Sequence, residues 1–125
     1  MTARYFTLAE ADSLLETVRP LMRAILAARQ HVVDAQPELW PVLEKAIGNG
    51  GSRKAGALLA DFEIIQTNVR LIQDLGLEVK DINTGLIDFL SRRDERDVYL
   101  CWQYDEPRIT HWHELEAGFA GRQQL

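Results

Sequence analysis

Apolar positions along this chain change their period once, close to Gly76, and that change divides it into two kinds of element. In the first part Leu8, Ala11, Leu15, Val18, Met22, Ile25 and Val32 follow steps of three and four, while Leu14, Leu21 and Ala28 widen the stripe. This predicts a long amphipathic helix ending near Ala35, before Pro37. Thr7 and Glu10 have the spacing of a capping box at its start. Pro20 removes one amide from the helical ladder, so a bend or break is expected near Glu16. Pro41 suits the first turn of a short helix within residues 37–47, and Gly48-Asn49-Gly50-Gly51 then reads as a loop. After Ser52 a second long helix is predicted from Ala55, Leu58, Phe62, Ile65, Val69 and Ile72. Ile64, Leu71 and Leu75 form a second, narrower stripe on it, and Gly76 suits its left-handed end.

Beyond Gly76 the runs become short and β-branched or aromatic: 77–82, 86–90, 98–104 and 108–112. Alternation sets Val98, Leu100, Trp102 and Tyr104 on one face of a strand and Tyr99, Cys101 and Gln103 on the other. With Trp112 facing inward, His111 and His113 share the opposite side. The pattern predicts a single α+β domain over 1–125. A long antiparallel helical hairpin (1–76) precedes a small three- to four-stranded antiparallel sheet with a C-terminal motif (77–125).

Composition adds constraints. The 125 residues are 46% hydrophobic and 26% charged, an ordinary globular balance. No run is apolar for long enough to span a bilayer, and the first residues lack a signal peptide's pattern, so the expected compartment is the cytoplasm. The net charge is -5, and from Gly76 onward ten acidic residues face six basic ones. Nucleic acid is therefore excluded as an expected partner. The glycine-rich loop lacks the spacing of a phosphate-binding motif. One cysteine rules out an internal disulfide, leaving Cys101 as a small buried filler, a ligand or a nucleophile.

Several strings in the second half are distinctive: Val79-Lys80-Asp81, residues 85–89, Leu100-Cys101-Trp102, Glu106-Pro107, Trp112-His113 and residues 118–123. Together with the Phe6-Thr7-Leu8 opening they make the chain resemble the uncharacterised prokaryotic "domain of unknown function 2203" family over almost its whole length. The resemblance implies no activity, cofactor or partner. His113, Asp81, Asp88, Glu106 and Arg122 match the family's pattern. The chain departs from it at Asp105, where the family has Gly, at Leu90 and Gln124, where it has Pro, and at His111, where it has an aromatic or apolar residue.

The chemistry-bearing residues are thus Asp81, Asp88, Glu106, His113 and Arg122, a ligand site or a polar lock on the C-terminus. Gly118 and Gly121 leave Arg122 projecting, with Asp81, Asp88 or Glu106 as the carboxylate it would clamp and Phe119 as a hydrophobic plug. Acidic surroundings raise a thiol's pKa, which disfavours Cys101 as a nucleophile with His113 as base. The expected function is a non-catalytic binding or assembly module, a homo-oligomer formed through the helices or a binder of another protein. The alternative is a divalent transition metal such as zinc, held by His111 and His113 with Cys101 or nearby carboxylates.

Overall fold

The computed structural model describes residues 3–47 and 59–125. Helix α1 (Leu8–Ala35) starts at Thr7, whose hydroxyl accepts from the Glu10 amide while the Glu10 carboxylate accepts from the Thr7 amide. It continues through Pro20 without interruption, so the break allowed for near Glu16 does not occur. A buried stripe of Ala11, Leu15, Val18, Met22, Ile25, Ala28 and Val32 holds both ends of this helix against the core, which outweighs one missing amide bond. A 3₁₀ turn (Pro37–Leu39) leads into α2 (Trp40–Ala46), with proline in its first turn. Helix α3 (Leu59–Asp74) buries Phe62, Ile65, Val69 and Ile72. The predicted glycine-rich loop and the Ala55 and Leu58 positions lie outside the described residues.

The second half is one antiparallel sheet of five strands in sequence order, not three or four. The strands are β1 (Glu78–Asp81), β2 (Leu86–Arg93), β3 (Arg96–Gln103), β4 (His111–Glu114) and β5 (Gln123–Gln124). The fifth carries no alternating pattern. It exists because the tail returns along β4, pairing His111 with Gln124 and Trp112 with Gln123. Strands β2 and β3 run longer than expected because their connection is only Asp94-Glu95, both at positive φ (53° and 65°). Such a two-residue turn matches the twist of a hairpin, although glycine or asparagine would adopt it with less strain.

One face of the sheet lies in the core. Ile87 and Phe89 of β2, Val98, Leu100 and Trp102 of β3, and Trp112 of β4 join the buried residues of the helices in one cluster. Polar ties fix the two layers. The Phe6 amide donates to the Leu90 carbonyl at 2.8 Å, Ser91 Oγ donates to the Phe6 carbonyl at 2.6 Å, and Asp12 of α1 accepts from the Ile109 amide at 2.9 Å. At the other end Asn83 accepts from Arg29 of α1 and from the Trp40 indole, and donates to Glu44 of α2.

Two turn positions test this account with opposite signs. Gly85 sits at φ +77°, where an added Cβ would come within 2.7 Å of Tyr104 Cβ and 3.1 Å of Met22 Cγ. Gly85→Ala is expected to cost about 2–4 kcal/mol in denaturant unfolding. Glu95→Gly relieves a left-handed residue at an exposed tip and is expected to add about 0.5–1 kcal/mol.

Candidate functional site

The outer face of a small antiparallel sheet is normally wet, so burial there asks for a reason. On this sheet Asp88, Cys101 and His113 are 2%, 0% and 2% exposed. Pairing explains how they meet: β2 and β3 set Asp88 opposite Cys101, and β3 and β4 set Tyr99 opposite His113. Each residue has the parity that points away from the helices. Their candidate donor atoms all lie within 4.8 Å of one another. The Tyr99 ring covers His113 at a tilt, with centroids 5.5 Å apart.

The contacts of His113 define its proton positions. Nδ1 lies 2.7 Å from the Glu114 carbonyl, which can only accept, so Nδ1 carries a hydrogen. Nε2 lies 3.0 Å from Asp88 Oδ2. A neutral ring with its hydrogen on Nδ1 would set two lone pairs against each other there, so this contact needs a further proton or a cation. The second carboxylate oxygen, Asp88 Oδ1, is buried without a hydrogen-bond partner among the described residues. Burial raises the Asp88 carboxyl above its ordinary range, while the hydrogen bond and charge of His113 pull it back. Burial, with the Asp88 charge adding to it and Arg122 opposing, pushes the Cys101 thiol up to about 12. Burial, helped by Glu78, pushes the Tyr99 phenol up to about 12 as well.

A second group adjoins the first. Arg122 Nη2 donates to both oxygens of Glu106, at 2.7 and 2.9 Å, and to the Cys101 carbonyl at 3.2 Å. Glu106 also accepts from the Gln103 amide at 2.7 Å. Its backbone carbonyl accepts from the Trp102 indole and from Arg19 of α1. The loop between β3 and β4 is therefore gripped from the helical layer and from the C-terminus together. His111 Nδ1 contacts Thr110 Oγ1 at 2.8 Å and lies 3.6 Å from Glu106 Oε2.

The structure thus gathers Asp88 with His113 and Glu106 with Arg122, and joins the two groups through Cys101. Asp81 stands apart: its carboxylate accepts from the Asn83 amide in the β1–β2 turn. His111 shares a face with His113, but its ring contacts are with Thr110 and Glu106. Phe119 is 51% exposed, so it plugs nothing; it lies beneath the Arg122 guanidinium, 5.0 Å from ring centroid to Cζ. Short runs around Gly118 lack the apolar neighbours needed to draw that ring inward. The residue that sequence reasoning undervalued is Cys101, left open there as a filler, a ligand or a nucleophile and not placed beside Asp88. The signal that would have placed it beside Asp88 is the two-residue turn, since centring the hairpin on Asp94-Glu95 pairs the two. An open cleft of about 410 Å³ near Tyr5, Phe6 and Ser91 shares no lining residue with either group.

Residues 4–125 match the family model described as "Uncharacterized conserved protein (DUF2203)". No curated protein and no solved structure matches the chain.

Two outcomes follow from this geometry. Arg122→Ala strands the half-buried Glu106 carboxylate and is expected to lower unfolding free energy by about 1–3 kcal/mol; an unchanged denaturation midpoint would contradict the clamp. Cys101, enclosed and with a thiol at about 12, is expected to resist iodoacetamide at neutral pH in the native protein and to react fully in denaturant. Mass spectrometry of the quenched samples reads the difference.

Proposed function

The chain belongs to the DUF2203 family, and from that premise we propose that it is a non-catalytic assembly module that self-associates through its helical layer. The observation that carries this reading is an apolar stripe on the solvent side of α3. Ile64 and Leu71, seven residues apart, are 42% and 46% exposed, and half-buried Asn68 lies between them. Steps of four and three are the spacing of a helix that packs against another helix. A polar Asn inside such a seam fixes register at some cost in stability, which suits one defined partner.

A second copy of this chain is the occupant. A two-fold antiparallel arrangement about the midpoint of Ile64 and Leu71 sets each against the other residue on the second copy, as an isologous contact requires. The reading takes α1 and α3 as a long antiparallel hairpin. Two contacts support it: His31 near the end of α1 meets Asp61 near the start of α3, and Arg4 ahead of α1 donates to the Leu75 carbonyl just after α3. The raised thiol and its enclosure weigh against Cys101 as a nucleophile. No helix among the described residues is long and apolar enough to cross a membrane, and with the acidic composition this favours a cytoplasmic protein without nucleic-acid partners.

Size-exclusion chromatography with light scattering tests the proposal. At high micromolar concentration the wild type is expected to show about twice the 14.3 kDa chain mass, and the Ile64→Asp, Leu71→Asp double variant the single mass with an unchanged circular dichroism spectrum. A wild type that stays monomeric at that concentration removes the proposal.

A further inference from the structure

We propose that Asp88, Cys101 and His113 form a binding site for a divalent transition-metal cation of the zinc class, held by the Asp88 carboxylate, the Cys101 sulfur and His113 Nε2. The site occupies the sheet face opposite the helices, so it stands or falls independently of self-association.

Four observations converge on it. The first is the donor set. Sulfur, imidazole nitrogen and carboxylate oxygen are the ligand types zinc takes, and bond lengths of about 2.0–2.3 Å put tetrahedral donor atoms about 3.3–3.8 Å apart. The three donors here lie within 4.8 Å of one another, close enough for side-chain adjustment to reach that geometry.

The second observation is the orientation of His113. Its Nδ1 hydrogen is committed to the Glu114 carbonyl at 2.7 Å, which turns Nε2 toward Asp88 and Cys101. A ligating histidine characteristically donates its other ring hydrogen to a carbonyl or carboxylate in this way, fixing both tautomer and ring plane. Here the neighbouring residue of the same strand supplies that carbonyl.

Thirdly, Asp88 Oδ1 is buried with no hydrogen-bond partner among the described residues. An unpaired carboxylate oxygen in a dry site is costly, whereas the same oxygen facing a cation is satisfied. The fourth observation is charge balance. A thiolate and a carboxylate carry two negative charges, which one divalent cation neutralises, so the loaded cluster is uncharged at a depth where a net charge is poorly tolerated. Binding displaces the Cys101 thiol proton and the proton lodged between His113 Nε2 and Asp88 Oδ2, and both leave to solvent. Of the sequence-derived pair His111 and His113, only His113 belongs to this set.

Cobalt(II) and zinc, added separately to full-length protein freed of metal by chelation, provide the test. Expected are one zinc per chain by elemental analysis and, with cobalt, a thiolate-to-metal charge-transfer band together with the strong visible bands of tetrahedral coordination. Cys101→Ser, which preserves size, is expected to lose the charge-transfer band, and His113→Gln to lose stoichiometric metal. His111→Gln is expected to keep both. Zinc should raise the melting temperature of the wild type and leave that of Cys101→Ser unchanged. A wild type that binds neither ion stoichiometrically overturns the proposal, as does a cobalt complex without the thiolate band, or metal retained in both Cys101→Ser and His113→Gln. The wild-type cobalt spectrum decides the question even where a variant fails to fold.

Discussion

The pairing of β2 with β3 is the constraint on which the rest of this molecule depends. Eight residues of each strand face each other across a two-residue turn, from Leu86 opposite Gln103 to Arg93 opposite Arg96. Side chains alternate across a sheet, so a slip of one residue in either strand would exchange its faces. A slip in β2 would drive Asp88 under the helices and expose Ile87 and Phe89. A slip in β3 would do the same with Cys101 and Trp102. The apolar core and the buried polar group on the other side are thus two readings of one register, and the core's preference enforces the position of the polar residues.

Everything else in the second half is referred to that hairpin. β4 aligns on β3 and delivers Trp112 inward and His113 outward, and β5 aligns on β4 and delivers Arg122 to Glu106. The β3–β4 loop is held from both layers, because Arg19 of α1 donates to the Glu106 and Pro107 carbonyls while Arg122 holds the Glu106 side chain. Arg19 also covers the Trp102 ring, 5.3 Å from Cζ to centroid. A disturbance at the C-terminal arginine therefore has a short physical route to the helical layer.

The α+β class, the start of α1 and the faces of the main elements are legible in the sequence because they rest on local rules. The capping box of α1, the buried stripes of α1 and α3 and the inward Val98, Leu100, Trp102 and Trp112 all follow from periodicity and spacing. What escapes that reading is whatever depends on tertiary context. Pro20 suggests a break, but packing along both ends of α1 overrides the loss of one hydrogen bond. Asp94-Glu95 has no glycine to announce a left-handed turn, so β2 and β3 look shorter than they are. Gln123-Gln124 becomes a strand only because β4 offers an open edge. His113, Asp88, Glu106 and Arg122 stand out as residue types, yet which of them meet is decided by strand register. That is why Cys101 enters the group, and why Asp81 and the Phe119 ring do not.

The short segment ahead of α1 carries a consequence for how the chain acquires its structure. Phe6 is bonded at its amide to Leu90 and at its carbonyl to Ser91, partners more than eighty residues later. Asp12 likewise waits for Ile109. At synthesis rates of about 5–20 residues per second, Phe6 is made about 4–17 s before Leu90 and Ser91. Until then the apolar stripe of α1 has for cover only α2 and α3, as each is made, and not the sheet. The residues made first are among the last to be satisfied, and the nascent helical half must stay soluble with one side of its core still open.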